Sequence, residues 1–486
     1  MDASGGDKVV RGNTPGALPH APVATAWDST GLIISLKFWK YLLLCIVCAE
    51  KIVNLIDYLL RDNIVMCYFN IYEEKERGSY NPGFFQMKLS FPFNINDLSS
   101  MSLTDVGTFA HEYIHFLQNT STPFGLWQAM IHYQNISEFF AYIQGNGITS
   151  KPVQGYVPSD NMKRRIALEK EASGYRGFLE VKEEEPLRLS RSIEEICGRK
   201  IERISISFRD IQGRSQKIIL GANIIKESMA ALIQEIINPG AQKDHSAVPY
   251  HVVSLLAAKY APNIAYDIKK LITLCFISLH TLSPGITLIN YMSYANDNPH
   301  SNIISIFDHF LEDSKVHKSN GDKMTVEQLG DDIAAAFKDI LQSFIYGKSS
   351  TFKLQYLAEI IDRVKISSGM IPLLRLLTEN NIDVSLVQKA VEACGTPIVW
   401  NEDGDLSIPN TINLEDTSES PDFEVMALIT SQALYKYLAN PDTVVCPMIL
   451  FCQSITHSNL KEECYDIPWR GQECLITPLA KSIGLK

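Results

Sequence analysis

The sequence predicts an α+β fold that is mainly helical: a small strand region leads into one motif-bearing helix, and an all-helical half follows. Three observations carry that expectation. Runs rich in Ile, Val, Tyr and Phe, Asn63–Tyr72 and Phe84–Phe93, flank a turn at Asn81-Pro82-Gly83, the pattern of two strands. A helix with its own start and stop signals comes next. From Pro249 onward the apolar residues recur at helical rather than alternating spacing.

Taken in order, residues 1–30 are rich in Gly, Ala, Pro and Ser and read as disordered. Gly31–Ala49 is apolar but contains Lys37 and Lys40, and its longest uncharged stretch, Tyr41–Ala49, is nine residues. A membrane-spanning helix needs about 20. The segment therefore reads as a core or amphipathic helix running on through Leu59. Its functional alternative is peripheral contact with a membrane surface or a partner through residues 31–60. No secretion signature is expected at this end.

Ser102 is a plausible N-cap with Asp105 three residues later, and Pro123 stops the helix that spans about Leu103–Asn119. Residues 124–145 are helical and aromatic. Residues 151–200 are charged and interrupted by Glu183-Glu184-Glu185-Pro186, so they read as an exposed insertion. Arg203–Arg209 and Lys217–Leu220 read as strands around the turn Gln212–Ser215. A helix from Ala222 to Ile237 ends at Asn238-Pro239-Gly240. Thr325 opens a further helix with Gln328 at the capping-box position, and Ser420-Pro421 opens another. The expected organisation is a disordered segment 1–30, a domain 31–300 carrying the insertion 151–200, a helical domain 301–440 and a Cys-containing segment 441–486.

At 486 residues the chain exceeds one ordinary core. Its 46% hydrophobic content is that of a folded soluble protein. The net charge of −11 and the lack of any basic stripe argue against nucleic acid, whose phosphates are bound by clustered Lys and Arg. Cys45, Cys48, Cys67, Cys197, Cys275 and Cys394 lie mostly in apolar stretches and read as buried thiols of a reducing, cytoplasmic compartment. Cys45 and Cys48 form Cys-x-x-Cys inside a helical run, which reads as packing.

The chemistry concentrates at His111-Glu112-Tyr113-Ile114-His115. A spacing of four puts both imidazoles on one helix face, where two ring nitrogens can meet one Zn²⁺. Glu112 stands beside the first ligand as a general base for the attacking water. His is scarce, eleven residues in the chain, so a chance match is on the order of a few per cent. Gln118 lies seven residues after His111, on the same face. The bland alternative is an ordinary helix with partly buried histidines.

A third ligand must come from elsewhere. The metzincin pattern needs Gly at 118 and His at 121, and this chain has Gln118 and Ser121, which excludes that class. A Glu from a second helix leaves two candidates. Glu138 follows His115 by 23 residues in bulky surroundings, Ser137-Glu138-Phe139-Phe140. Glu227 follows by 112, and the small residues Ser228, Ala230 and Ala231 around it would let its helix approach closely. The small neighbours, and its place after a strand and Gly221, favour Glu227, while the shorter spacing leaves Glu138 open. Glu235, eight residues on, would support a ligand from behind.

His111-Glu112-Tyr113-Ile114-His115-Phe116-Leu117-Gln118, then Ser121-Thr122 and Gly125, then Leu220-Gly221, Glu227-Ser228-Met229-Ala230 and Pro249-Tyr250 resemble, in that order, a group of bacterial zincin-like proteins. The resemblance covers roughly residues 60–260. It implies a zincin-like, specifically gluzincin-like, metallopeptidase fold and the ligand set His111, His115 and Glu227, and it implies no particular substrate. Tyr250 and His251, just after the Glu227 helix, are the candidates by chain order to stabilise an oxyanion.

Cys446, Cys452, His457, Cys464 and Cys474 are donors of the structural-zinc type, but their irregular intervals and the lack of a Cys-x-x-Cys knuckle leave reduced thiols on small helices as the alternative. The expectation is therefore a zinc-dependent peptidase acting on a protein or peptide. The competing account is a non-catalytic zinc-binding or helical interaction protein, and Glu112 discriminates, because a structural site needs no acid beside its first His.

Overall fold

Capping and packing, rather than long apolar runs, set the element boundaries. The computed structural model describes residues 77–317, 323–343, 382–401 and 421–440, apart from 82–85, 148–152, 183–186 and 318–322, with shorter pieces at 360–362, 405–407 and 476–482 and single residues at 403, 446, 448, 452, 474 and 485. The expected elements at 1–60 and Asn63–Tyr72, Pro82 and Gly83 of the first turn, the break Glu183–Pro186, and Ser420 lie outside the described residues. So do Cys45, Cys48, Cys67, His457 and Cys464.

The fold is α+β and mainly helical. Strands β1 (Gly78–Asn81) and β2 (Gln86–Leu89) precede helix α1 (Leu103–Ser121). The Ser102 side chain accepts from the Asp105 N–H at 3.2 Å and donates to the Asp105 carboxylate at 2.6 Å, which fixes where α1 begins. Thr122 ends α1 and caps α2 (Pro123–Asn146) by accepting from the Gly125 N–H. Helix α3 (Asp160–Ser173) and strand β3 (Arg188–Ile196) occupy much of the stretch 151–200. Strands β4 (Arg199–Arg209) and β5 (Ser215–Ile219) then lead into α4 (Ala222–Ile237).

Helices α5 (Val252–Tyr260), α6 (Ile268–Ser278), α7 (Pro284–Asp297) and α8 (Ile303–Asp313) follow. Strands β6 (Lys315–His317) and β7 (Lys323–Thr325) form a hairpin before α9 (Val326–Ser343). At the start of α9, the Thr325 N–H donates to Gln328 and the Gln328 N–H donates back to the Thr325 hydroxyl, the expected capping box. Further along lie α10 (Val384–Cys394), β8 (Ile398–Asn401), β9 (Leu406–Ser407), α11 (Pro421–Ala439) and α12 (Ile476–Ser482).

Two features depart from the sequence expectation. The later half is not wholly helical. Strand β8 pairs in parallel with β2, matching Gln86 with Ile398 and Leu89 with Asn401, so one sheet runs β1-β2-β8-β9. Four residues of β-type sequence between helices give no periodicity to read. The second departure is the hairpin β3–β4, which the charged composition hid. Its turn is the two residues Cys197-Gly198, both at positive φ (51° and 76°), the backbone that a tight hairpin requires. Cys197 is consequently exposed, whereas Cys275 and Cys394 are buried as expected.

Helices α1 and α4 pack together, and both contribute to one buried core, α1 with Val106, Phe109, Ala110, Tyr113, Phe116 and Leu117 and α4 with Ile225, Met229, Leu232 and Ile233. Tyr113 carries this core to the distant β8 region. Its hydroxyl lies 3.0 Å from the Ala390 carbonyl oxygen and 2.9 Å from that of Gly395. No helix among the described residues is long and apolar enough to cross a membrane.

Tyr113→Phe is expected to lower unfolding stability by about 1–2 kcal/mol, because buried carbonyls lose a donor. Urea unfolding of the two proteins checks this. An unchanged midpoint would show that the tether contributes nothing.

Candidate metal centre

Two helices build the centre. Ser102 starts α1 so that His111 and His115 share the face turned toward α4. Gly221 starts α4 so that Glu227 falls in its second turn. Close approach needs small residues at the crossing. A Cβ on Gly107 would sit 3.0 Å from the Asn238 Cβ and 3.6 Å from the Gln234 Cγ. Ala230 and Ala231 are fully buried on the facing helix.

The result brings His111, His115 and Glu227 together. Among the described residues these three form the group that could hold a metal ion, with one donor atom from each lying within 4.8 Å of the others. The Glu227 Oε2 is 3.3 Å from the His111 Nε2 and 3.2 Å from the His115 Nε2. Two donors held at about 2.0–2.1 Å by one tetrahedral ion are about 3.3 Å apart, the separation of Glu227 from each imidazole. The Glu227 side chain is 33% exposed, against 9% and 11% for the imidazoles, so the centre opens to solvent on the Glu227 side.

Glu138 does a different job. Its carboxylate accepts from the Ser159 N–H at 3.0 Å and from the Ser159 hydroxyl at 2.9 Å, at the residue that caps α3. That commitment removes it as the third ligand. Glu235 likewise accepts from the Gly240 N–H at the end of α4. The residue behind the ligands is its neighbour Gln234, whose Oε1 lies 3.1 Å from the His111 Nδ1. Gln234 stands seven residues after Glu227, the same two-turn spacing that separates His111 and Gln118, and that spacing is the signal for it in the sequence. Gln118 faces the other ligand, with its Oε1 2.9 Å from the His115 Nδ1.

Glu112 is buried beside the ligands and under strand β1. A Cβ on Gly78 would come within 2.9 Å of the Glu112 Cγ, so only glycine lets the strand lie this close. The Glu112 carboxylate accepts a backbone hydrogen bond from Tyr80. The Tyr80 ring stacks on His115 with centroids 6.5 Å apart.

On the other flank, the Tyr250 ring lies 5.9 Å from that of His111. The neighbouring ring there is His245, 4.6 Å from Tyr250 and 6.3 Å from His111. His251 instead occupies the N-cap position of α5. His245 lies in the irregular link between α4 and α5, where no periodicity marks it. Two contacts hold this flank. Ser228, next to Glu227, donates to the Pro249 carbonyl at 2.7 Å. Leu179 and Val248 exchange backbone hydrogen bonds, which lays Phe178 in a stack against Tyr250. Among the C-terminal cysteines, Cys446 is buried and Cys452 and Cys474 are half-buried.

The electrostatics of these side chains follow from burial and close charge. Burial pushes the Glu112 carboxyl above the ordinary range. His111 and His115 oppose that, Glu227 reinforces it, and the Tyr80 N–H opposes it. Burial would raise Glu227 too, but His115 and His111 hold it well below the ordinary carboxylate range. Burial would lower His115, yet the charge and hydrogen bond of Glu227, helped by Glu112 and Gln118, lift it to about 9.

Compared with family models, curated proteins and solved structures, the chain matches none. The metal-centre reading therefore rests on the chain's own geometry.

Two outcomes are expected. Elemental analysis should find a metal ion in the wild type, lost in His115→Ala and Glu227→Gln but kept in Glu112→Gln and Glu138→Gln. Metal retained in the first pair would put the ion elsewhere. The second outcome concerns pH. With its folded pKa raised, protonated His115 stabilises the metal-free protein fully below about pH 6.5, and that contribution is lost as pH rises through about 9. A metal ion needs the neutral ring and displaces that proton. Affinity for an added divalent transition metal should therefore rise about tenfold per pH unit across this window, measured by competition with a chelator. A flat profile would show that no proton is displaced.

Proposed function

We propose that the chain is a zinc-dependent hydrolase of peptide bonds. The observation that carries this reading is Glu112: a buried carboxylate with a raised pKa, adjacent to a solvent-open donor set yet not part of it. A purely structural metal site has no use for such a group. Two imidazoles and one carboxylate, with room for a further ligand, are the donor set of a catalytic zinc.

Zinc, when bound by His111, His115 and Glu227, would supply Lewis acidity toward the scissile carbonyl and make water acidic near neutral pH. Glu112 takes one proton from the attacking water as its oxygen adds to the carbonyl carbon. The C–N bond then breaks, and Glu112 hands that proton to the departing amine. Burial under β1 keeps bulk water from exchanging the proton. Tyr250, with His245 behind it, faces the His111 side of the centre and would donate to the oxyanion. The resemblance in the sequence points to the same chemistry and the same ligands.

The test uses a whole proteome as substrate, since a narrowly specific enzyme can ignore generic peptides. Zinc-loaded wild type should generate new N-termini that Glu112→Gln, equally zinc-loaded, does not. On the substrate so found, Tyr250→Phe should lower kcat by about 10²-fold with zinc content unchanged. A zinc-loaded wild type that cleaves no more than Glu112→Gln would overturn the hydrolase reading and leave a zinc-binding interaction protein.

A further inference from the structure

We infer that Gln118 and Gln234 are positioning residues that fix the tautomers of the two histidine ligands, so that both Nε2 atoms face one ion. The inference rests on the metal-centre reading and adds to it how this chain prepares its donors. An imidazole binds metal through a nitrogen with a free lone pair. Which nitrogen that is depends on where the other one places its proton.

For His115 the assignment follows from a chain of contacts. The Gln118 side-chain amide lies between the His115 Nδ1 at 2.9 Å and the Lys226 backbone carbonyl at 3.1 Å. A carbonyl can only accept, so the amide must turn its NH₂ toward Lys226. Its oxygen then faces His115, and an oxygen there requires Nδ1 to carry the proton. Once the ring is neutral, as metal binding requires, its lone pair is on Nε2, the atom 3.2 Å from Glu227. The reversed amide would set oxygen against oxygen at Lys226, in a site where Gln118 is fully buried, which is costly.

Gln234 serves His111 from the opposite helix. Its oxygen lies 3.1 Å from the His111 Nδ1, and the His111 Nε2 faces Glu227. One glutamine reaches from α1 to the α4 backbone at the residue before Glu227. The other reaches from α4 to α1. The two amides thus hold the ligand-bearing helices in register as well as setting the rings. Both acceptors are neutral, so Glu227 is the one anionic member of the ligand set.

The experiment reads zinc affinity and proton position. Gln118→Met and Gln234→Met keep an unbranched side chain and remove the acceptor. Each should weaken zinc binding about 10–100-fold in chelator competition. Gln234→Glu restores an acceptor and should bind within about threefold of wild type or tighter. In zinc-loaded wild type, ¹⁵N imidazole spectra should place the proton on Nδ1 of both His111 and His115. A merely structural glutamine would change unfolding of the metal-free protein without moving either readout. Wild-type affinity in the Met variants, or a proton on Nε2 of either histidine, would overturn the inference. If the Met variants fail to fold, the wild-type spectra decide it. A wild type with no affinity for zinc would instead overturn the metal centre itself.

Discussion

The register between α1 and α4 is the constraint on which the rest depends. Neither helix holds a metal-capable set alone. Two imidazoles on one and a carboxylate on the other meet only if the helices cross at a fixed depth and rotation. Depth is set by what is missing, the side chain at Gly107 and the bulk at Ala230 and Ala231. Rotation is set by directional bonds, the Gln118 amide to the Lys226 carbonyl and the Gln234 oxygen to His111. Apolar burial along the same contact supplies most of the favourable free energy, because it scales with area and ignores direction. The polar contacts select one register, because a buried donor or acceptor left without its partner costs about 1–3 kcal/mol.

Behind the ligands lies a second polar layer. The Lys226 ammonium is buried and donates to the Asn119 and Gln128 side-chain oxygens at 2.8 and 2.9 Å. Gln128 in turn donates to Glu169 at 2.6 Å. Residues of α1, α2, α3 and α4 are joined in one network. Burial pulls the ammonium down to about 7, with Glu169 opposing, and such a group is tolerable only with its donors engaged. The layer anchors the turn of α4 that carries Glu227 on the side away from solvent. On the open side the walls are aromatic, with Tyr80 over His115 and Tyr250 with His245 beside His111. A rigid back and an apolar-walled, accessible front suit a centre that must hold its donors still while a ligand enters.

Much of this was legible because it is local. The Ser102 cap, the i and i+4 histidines, Ala222–Ile237 as a helix and the Thr325–Gln328 box each depend on residues within two turns of one another. Glu227 was legible one step further out, since its small neighbours signal a close helix crossing. The choice against Glu138 needed the structure, which commits that carboxylate to Ser159. The Glu227-Ser228 and Pro249-Tyr250 segments also touch in space, as Ser228 holds the Pro249 carbonyl ahead of Tyr250. Gln234 rather than Glu235 stands behind His111, because seven residues after Glu227 is two turns along the same helix face.

The sequence by itself determined helices α1, α2, α4 and α9, the caps at Ser102 and Thr325, the paired imidazoles and the carboxylate between them. These follow from short-range hydrogen bonding and from a periodicity that a single segment displays. Tertiary structure alone decided the parallel pairing of β2 with β8, the strand laid over Glu112, the place of His245 and the exposure of Cys197. Each of those depends on segments far apart in the chain, or on a turn whose backbone angles leave little trace in composition. No periodicity within one segment encodes a contact with another; the folded chain fixes it by shape and by satisfying buried polar groups.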